Sequence, residues 1–305
     1  MAGTILNQAV IMLLLIIVGM VCYKIGLISE NGSKELSKLV LTVVNPMVIL
    51  MAYQTDFNKE LLSGLLLTFV LSAASFVLAI AVSYLVIRDK KGRETDIERF
   101  SSIYSNCAFM GIPLINALMG YEGVFYLTAF ITIFNILVWT HGVIQISGVK
   151  SLKSITKAVM SPSIFAVVIG LILFLTKIRF PVLIAEALDF ISSMNTPLAM
   201  LVAGATIAQT NMLMALKKPR IYIVSAMRLL VIPLIIAVIF RLIPLNTFAE
   251  TAVLVAMAAP SAAICTLQCL NYGKNSLYAS EIFAVTTLLS VATMPLIVYI
   301  YQMKI

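Results

Sequence analysis

The sequence predicts an all-helical protein that crosses a membrane ten times. The first observation is composition: 61% of the 305 residues are hydrophobic and 11% are charged, whereas soluble domains have roughly 25% charged residues. The second is a series of ten long apolar segments, and the third is an uneven distribution of Lys and Arg between alternate connections. Together they exclude a soluble globular domain, a disordered chain and a small disulfide-stapled protein.

The apolar segments follow from hydropathy and from the positions of helix-breaking residues. A membrane-spanning helix needs about 20 apolar residues, and we expect ten of them at the approximate bounds 5–23, 36–54, 61–87, 98–120, 123–147, 158–177, 181–209, 219–243, 248–271 and 276–302. Unbroken apolar runs exclude the alternating pattern of outer-membrane β-strands. The chain is therefore expected to be embedded in lipid, with short connections.

The Lys and Arg residues indicate the orientation. Fifteen of the 21 lie in connections on the side that holds the first connection, five lie on the opposite side, and Arg228 lies within segment eight. Cytoplasmic loops are enriched in Lys and Arg, so we expect the first side to be cytoplasmic and both termini to be outside, in a multi-pass plasma membrane protein. This topology explains the net charge of +8, and no nucleic-acid partner is expected.

Prolines recur at similar positions in the two halves of the chain. The recurring pairs are Pro46 with Pro197 and Pro113 with Pro260, separated by 151 and 147 residues. Half the chain has nearly the same length, so we expect two five-helix halves, 1–150 and 151–305. Because five is odd, the second half must enter the membrane inverted. Inverted repeats with interrupted helices in matching positions indicate a secondary transporter.

Segment four has the most informative stretch, SNCAFMGIPL at residues 105–114. Pro113 removes a backbone donor and clashes one turn back, and Gly111 permits irregular dihedral angles. Backbone groups freed in this way cannot face lipid, so they line a cavity or bond to neighbours. Asn106 adds an amide nearby. A proline kink with the asparagine bonding between helices explains this stretch equally well when it is taken alone.

Segment nine contains a matching stretch, AAPSAA at residues 258–263, with Pro260 and Ser261 among small residues. Two breaks in corresponding segments predict two discontinuous helices that cross near the middle of the membrane. The half-helix N-termini at such a crossing have partial positive charge and attract anions. We therefore expect an anionic ligand bound by Asn106, Gly111, Pro113, Pro260 and Ser261.

Further polar residues within the apolar segments are candidates for coupling or for lining the site: Asn45, Asn135, Gln268 and Glu281. For Glu281 two roles stay open, snorkelling to the interface and binding a proton or sodium as coupling ion. For Arg228 we favour snorkelling over pairing with a substrate. The four cysteines have no His or acidic neighbours in sequence, so no metal site is expected, and no cofactor. The sequence contains no P-loop, H-E-x-x-H or G-x-S-x-G motif, so an enzyme is not expected.

The run NCAFMGIPLINALMG at residues 106–120 resembles the fourth-helix motif of the auxin efflux carrier family. That family includes PIN-type auxin carriers and microbial proteins described as malate or malonate permeases. The stretches AAPSAAICTLQCLNYG, TTLLSVATMPL and LVAGATI, together with Asn45-Pro46, are similar to the family pattern as well. The resemblance extends over essentially the whole chain.

The resemblance implies ten helices in two inverted five-helix repeats, with broken helices four and nine that cross. Segments 1, 2, 6 and 7 would form a scaffold, often a homodimeric one, and segments 3–5 and 8–10 a transport domain that moves like an elevator. The binding asparagine of the family falls on Asn106, and its crossover prolines fall on Pro113 and Pro260.

The expected function is secondary transport of a small organic anion, either a malate-like carboxylate or an auxin-like acid, with membrane lipid as the surrounding partner. Alternatives stay open. A sodium-coupled carrier of the bile-acid-symporter type has a similar broken-helix architecture. A channel or a membrane sensor belongs to a different functional class.

Overall fold

The computed structural model describes residues 2–303 except 91, 149–159, 244 and 246. Regular structure in these residues is helical apart from one isolated β-bridge. The expected all-helical fold with ten segments is confirmed. The expected boundary between the halves, at residues 150 and 151, lies outside the described residues.

In the first half, segment one is Ala2–Lys24, segment two is Glu30–Leu39, Val40–Val44 and Asn45–Ala52, and segment three is Lys59–Val86; segment four is Thr95–Ile103, Cys107–Gly111 and the start of Ile112–Leu137, and segment five is the rest of that helix, Val138–Gly142 and Val143–Ser147. In the second half, segment six is Pro162–Thr176, segment seven is Val182–Ser193 and Asn195–Ala208, and segment eight is Pro219–Ala226, Met227–Val231 and Ile232–Leu242; segment nine is Thr247–Ala258 and Ile264–Asn271, and segment ten is Ser276–Gln302. Gly120, with φ 61° and ψ −157°, separates segment four from segment five. A short helix, Met212–Ala215, lies between segments seven and eight.

Seven continuous helices among the described residues are long and apolar enough to cross a membrane. One of them, Cys107–Ser147, contains the second half of segment four and all of segment five, and the shorter apolar helices Pro162–Thr176 and Thr247–Ala258 belong to segments six and nine. Many large apolar side chains on segments one, three and six are exposed, as expected for surfaces that face lipid. The arrangement therefore fits a polytopic membrane protein.

The described chain has four π-helical turns, and prolines accompany three of them; Val138–Gly142 has no proline after it. The three turns Val40–Val44, Cys107–Gly111 and Met227–Val231 each end two residues before a proline. In each case the residue before the proline donates its N–H to the carbonyl five positions back. Proline has no N–H and crowds the carbonyl four positions back, and one extra residue in the turn accommodates it.

Segments one and seven approach closely through two glycines. A Cβ added at Gly204 would overlap the carbonyl oxygen of Ile16, and one added at Gly19 would overlap that of Leu201. Small residues at helix interfaces permit such backbone contact in membranes, where van der Waals packing replaces the hydrophobic effect between helices. This contact fixes the two segments as one rigid pair.

We expect Gly204→Ala to lower the unfolding free energy by roughly 1–3 kcal/mol, because the added methyl group forces the two backbones apart. The measurement is the thermal midpoint of the detergent-purified protein. The matched control is Gly3→Ala on segment one, where an added Cβ meets nothing within 4 Å. Equal midpoints for both variants would contradict the close contact.

Candidate functional site

The broken stretches of segments four and nine pair with each other. Ser105 and Ser261 form an antiparallel bridge. The backbone N–H of Asn106 donates to the carbonyl of Pro260 at 2.7 Å, and that of Ala262 donates to the carbonyl of Tyr104 at 3.0 Å. Backbone groups that leave the helices at the breaks thus find partners in the opposite break, which satisfies the requirement imposed by lipid. We call residues 104–106 and 259–263 the crossover.

The position of the break in segment four differs from the expectation. The helix ends at Ile103 and resumes at Cys107, so the expectation that Gly111 and Pro113 form the break is wrong. Gly111 is helical, with φ −69° and ψ −48°. The reason is that a proline is tolerated in the first turn of a helix, and the π-helical turn before Pro113 removes its clash. In segment nine the break includes Pro260 and Ser261, as expected.

Three polar atoms at the crossover are buried and have no hydrogen-bond partner among the described residues: Ser105 Oγ, Asn106 Nδ2 and Ser261 Oγ. Thr287 Oγ1 in segment ten, one residue after the Thr286 that bonds to Ser261, is likewise buried and unpartnered in the described part of the chain. A buried polar group without a partner costs about 1–3 kcal/mol, so such a concentration marks a place where a ligand can supply the partners. Sequence reasoning identified Asn106 and Ser261 as binding residues and Thr287 as a polar group facing the crossover, but it did not single out Ser105. The signal for Ser105 was its position directly before Asn106 in the broken stretch.

Both helices that start at the crossover lack a side-chain cap. The residues before Cys107–Gly111 and before Ile264–Asn271 accept no hydrogen bond from the following backbone N–H groups through their side chains. The first N–H groups of a helix have no partner within the helix and have partial positive charge. The two helix starts therefore contribute positive potential from the backbone alone.

A cavity of about 290 Å³ adjoins the second half of segment four. Its lining comes from segments two, four and seven and from the start of segment five: Val48, Ile112, Pro113, Asn116, Tyr121, Asp189, Ser192, Ser193, Asn195 and Thr196. The Tyr121 hydroxyl donates to Asp189 Oδ1. The structure thus places Pro113 at a polar cavity rather than in the break.

Asn45 and Asn195 form a buried pair between segments two and seven. Asn195 Nδ2 donates to Asn45 Oδ1 at 2.5 Å, and the residues are 3% and 0% exposed respectively. One amide nitrogen and one amide oxygen of the pair have no partner among the described residues. If both side-chain amides are flipped, Asn45 Nδ2 donates to Asn195 Oδ1 instead. One donor group and one acceptor of the pair again have no partner, so this holds in either orientation. Sequence reasoning singled out Asn45 and did not single out Asn195.

The remaining candidates occupy distinct places. Asn135 Nδ2 donates to the Ile131 carbonyl of its own helix at 2.9 Å. Gln268 Nε2 donates to the Val138 carbonyl at 3.3 Å, while Gln268 Oε1 is buried and unpartnered among the described residues. The Asn135 amide thus donates within its own helix, and Gln268 has one acceptor free.

Glu281 is 2% exposed and forms an ion pair with Lys218 at 2.5 Å. It lies five residues before Thr286, or about 7.5 Å along a helix axis, and the Thr286 hydroxyl accepts a hydrogen bond from the Ser261 N–H at the crossover. Close by, Glu98 pairs with Arg220 through both carboxylate oxygens and also accepts from Tyr278. These carboxylates already have cationic partners on the side predicted to be cytoplasmic.

Arg228 does not snorkel, contrary to the expectation. It is 0% exposed and donates to backbone carbonyls at the ends of helices that stop at the crossover. Snorkelling assumes a free path along the helix to the interface. The path is closed because segments four and nine pack over this side chain.

Comparison with known proteins agrees with this architecture. A model of the Membrane transport protein family matches the chain twice, over residues 4–154 and 149–298. An uncharacterized transporter of Methanothermobacter thermautotrophicus is 24% identical over 295 residues, which cover 93% of this chain and 94% of the relative. The double match corresponds to the two predicted repeats.

The Asn45–Asn195 pair gives a stability prediction. We expect Asn45→Leu alone to lower the unfolding free energy by about 1–3 kcal/mol, because it leaves the Asn195 amide buried without a partner. Asn45→Leu with Asn195→Leu should cost less than the sum of the single changes. Thermal midpoints of the four proteins in detergent measure this coupling, and additive effects would show that the amides do not interact.

Proposed function

The chain belongs to the Membrane transport protein family, that of the auxin efflux carriers, and we propose that it is a secondary transporter of a small organic anion. The single observation that best supports this proposal is the crossover. Two uncapped helix starts, a buried amide and unpartnered hydroxyl groups converge there. Such a place suits a ligand that accepts several hydrogen bonds.

The chemistry of the crossover favours a carboxylate. Asn106 Nδ2 supplies N–H donors and Ser105 and Ser261 supply hydroxyl groups, while the helix starts add partial positive charge. In the described part of the chain, the carboxylates of Glu98 and Glu281 are paired with Arg220 and Lys218, so they do not oppose an anion. The proposed substrate class is a mono- or dicarboxylate such as malate.

Alternating access is proposed to be of the elevator type. The cavity lies between segments two and seven, assigned to the scaffold, and segment four, assigned to the transport domain. A cluster of buried apolar side chains also joins the two parts. It contains Met12, Ile16 and Met200 of the scaffold and Phe109 and Phe283 of the transport domain. Apolar contacts are non-directional and therefore compatible with sliding, whereas the glycine contact between segments one and seven stays inside the scaffold. The proposal includes a homodimeric scaffold in the plasma membrane, with both termini outside.

Two alternatives make different predictions. A sodium-coupled carrier of the bile-acid-symporter type needs an exchangeable Na⁺ with several oxygen ligands, and Glu281 is engaged with Lys218. A channel conducts without saturable exchange. Saturable counterflow excludes a channel. Counterflow that does not require Na⁺ excludes a sodium-coupled carrier and leaves a uniporting or proton-coupled one.

We expect proteoliposomes preloaded with malate to take up labelled malate by saturable counterflow. Asn106→Ala should raise the half-saturating malate concentration by about 10- to 150-fold, because one charge-assisted hydrogen bond is worth about 1.5–3 kcal/mol. The matched control is Asn271→Ala, which changes an exposed asparagine at the end of segment nine.

Asn106→Ala protein should keep the thermal midpoint of the wild type, so that lost exchange is not lost folding. Saturable exchange that is unaffected by Asn106→Ala would place the substrate elsewhere. If folded wild-type protein exchanges none of a panel of mono- and dicarboxylates, the anion proposal fails.

A further inference from the structure

Two half-helices end at the crossover with their carbonyl groups directed into the protein. They are Thr95–Ile103 of segment four and Thr247–Ala258 of segment nine. The last four carbonyls of a helix have no partner within it, and the end has partial negative charge. Inside a membrane these groups need another partner. In carriers with broken helices, unwound carbonyls and half-helix C-termini typically coordinate a coupling cation.

In this chain the guanidinium of Arg228 fills that role. Its Nε donates to the Ala259 carbonyl at 2.9 Å, and its Nη1 donates to the carbonyls of Ser102 and Ile103 at 3.2 and 2.9 Å. Its Nη2 donates to the Met257 carbonyl. The guanidinium thus uses four of its five N–H donors and joins both helix ends.

No carboxylate in the described part of the chain forms an ion pair with Arg228. A fully buried charge is costly in a membrane protein unless it is paired or bonded to backbone carbonyls. The counter-charge here is the pair of negative helix ends. The guanidinium is therefore held by two helix dipoles and four carbonyl oxygens, as a small cation would be.

The backbone around Arg228 supports this placement. The residue lies in the π-helical turn Met227–Val231, which is widened by Pro233. Such turns are frequent at functional sites.

We propose that Arg228 is a built-in cation that occupies the position of an exchangeable coupling cation, so that substrate exchange proceeds without Na⁺. The inference rests on the proposed transport function for its last clause. Arg228 is a positioning residue: it neutralises the negative helix ends and leaves only the positive ends of the crossover to act on an anion. Since the cation is covalently attached, it cannot be released to either side of the membrane.

The first test uses purified protein and needs no substrate. We expect Arg228→Ala to lower the thermal midpoint, and millimolar guanidinium to raise the midpoint of this variant selectively, because a ligand that binds only the folded state stabilises it by mass action. Wild type should gain nothing from guanidinium, or from Na⁺ compared with K⁺ at equal ionic strength. The matched control is Arg241→Ala on the same segment, whose guanidinium donates to the single carbonyl of Ile300 at 3.3 Å.

The second test is malate counterflow. Wild type should exchange equally in Na⁺ and in K⁺ media, and Arg228→Ala should exchange at least about tenfold more slowly, with partial recovery in guanidinium. Arg228→Lys keeps the charge and tests the same point if Arg228→Ala does not fold; it should exchange without Na⁺ at a reduced rate.

Several results would overturn the proposal: specific stabilisation of wild type by Na⁺, exchange that requires Na⁺, unchanged exchange in Arg228→Ala, or a midpoint of folded Arg228→Ala that guanidinium does not raise. If wild type exchanges no malate but guanidinium still raises the thermal midpoint of Arg228→Ala, malate is rejected as the substrate and the cation assignment stays supported.

Discussion

The structure depends on the requirement that no backbone polar group face lipid unpaired. Segments four and nine each give up several helical hydrogen bonds at their breaks. The antiparallel contact of Ser105 with Ser261 restores some of them, and Arg228 takes up carbonyls that remain. Neither break could exist without the other, which explains why both halves of the chain contain one.

The pairing of the two breaks brings helix ends of opposite partial charge into the membrane interior. The helices that stop at the crossover bring negative ends, and the helices that start there bring positive ends. A guanidinium bonds to the first kind of end, while the second kind has no side-chain cap. Backbone geometry alone would therefore favour an anion at the second kind of end, which is the basis of the proposed function.

The sequence was sufficient for the number, order and apolar character of the segments, because long apolar runs and Lys and Arg bias are local properties. It also located the break of segment nine at Pro260. It misplaced the break of segment four because the π-helical turn before Pro113 is a three-dimensional adjustment with no separate sequence signal. Arg228 was misassigned for a related reason: snorkelling is judged along one helix, and the side chain is enclosed by two others. The pairing of Asn45 with Asn195 needed contacts between distant residues.

The prolines show how one chemical property has different results in different contexts. Pro46, Pro113 and Pro233 each follow a π-helical turn inside a continuous segment, and Pro260 lies in a full break. The difference is the opposite backbone. At Pro260 the carbonyl accepts the Asn106 N–H, so the chain can leave the helix without losing a partner, whereas before Pro113 the widened turn keeps the hydrogen bonds within the helix. At Pro46, Pro113 and Pro233 the helix therefore continues through a widened turn, whereas Pro260 accompanies a full break because a second interrupted chain supplies the missing hydrogen bonds.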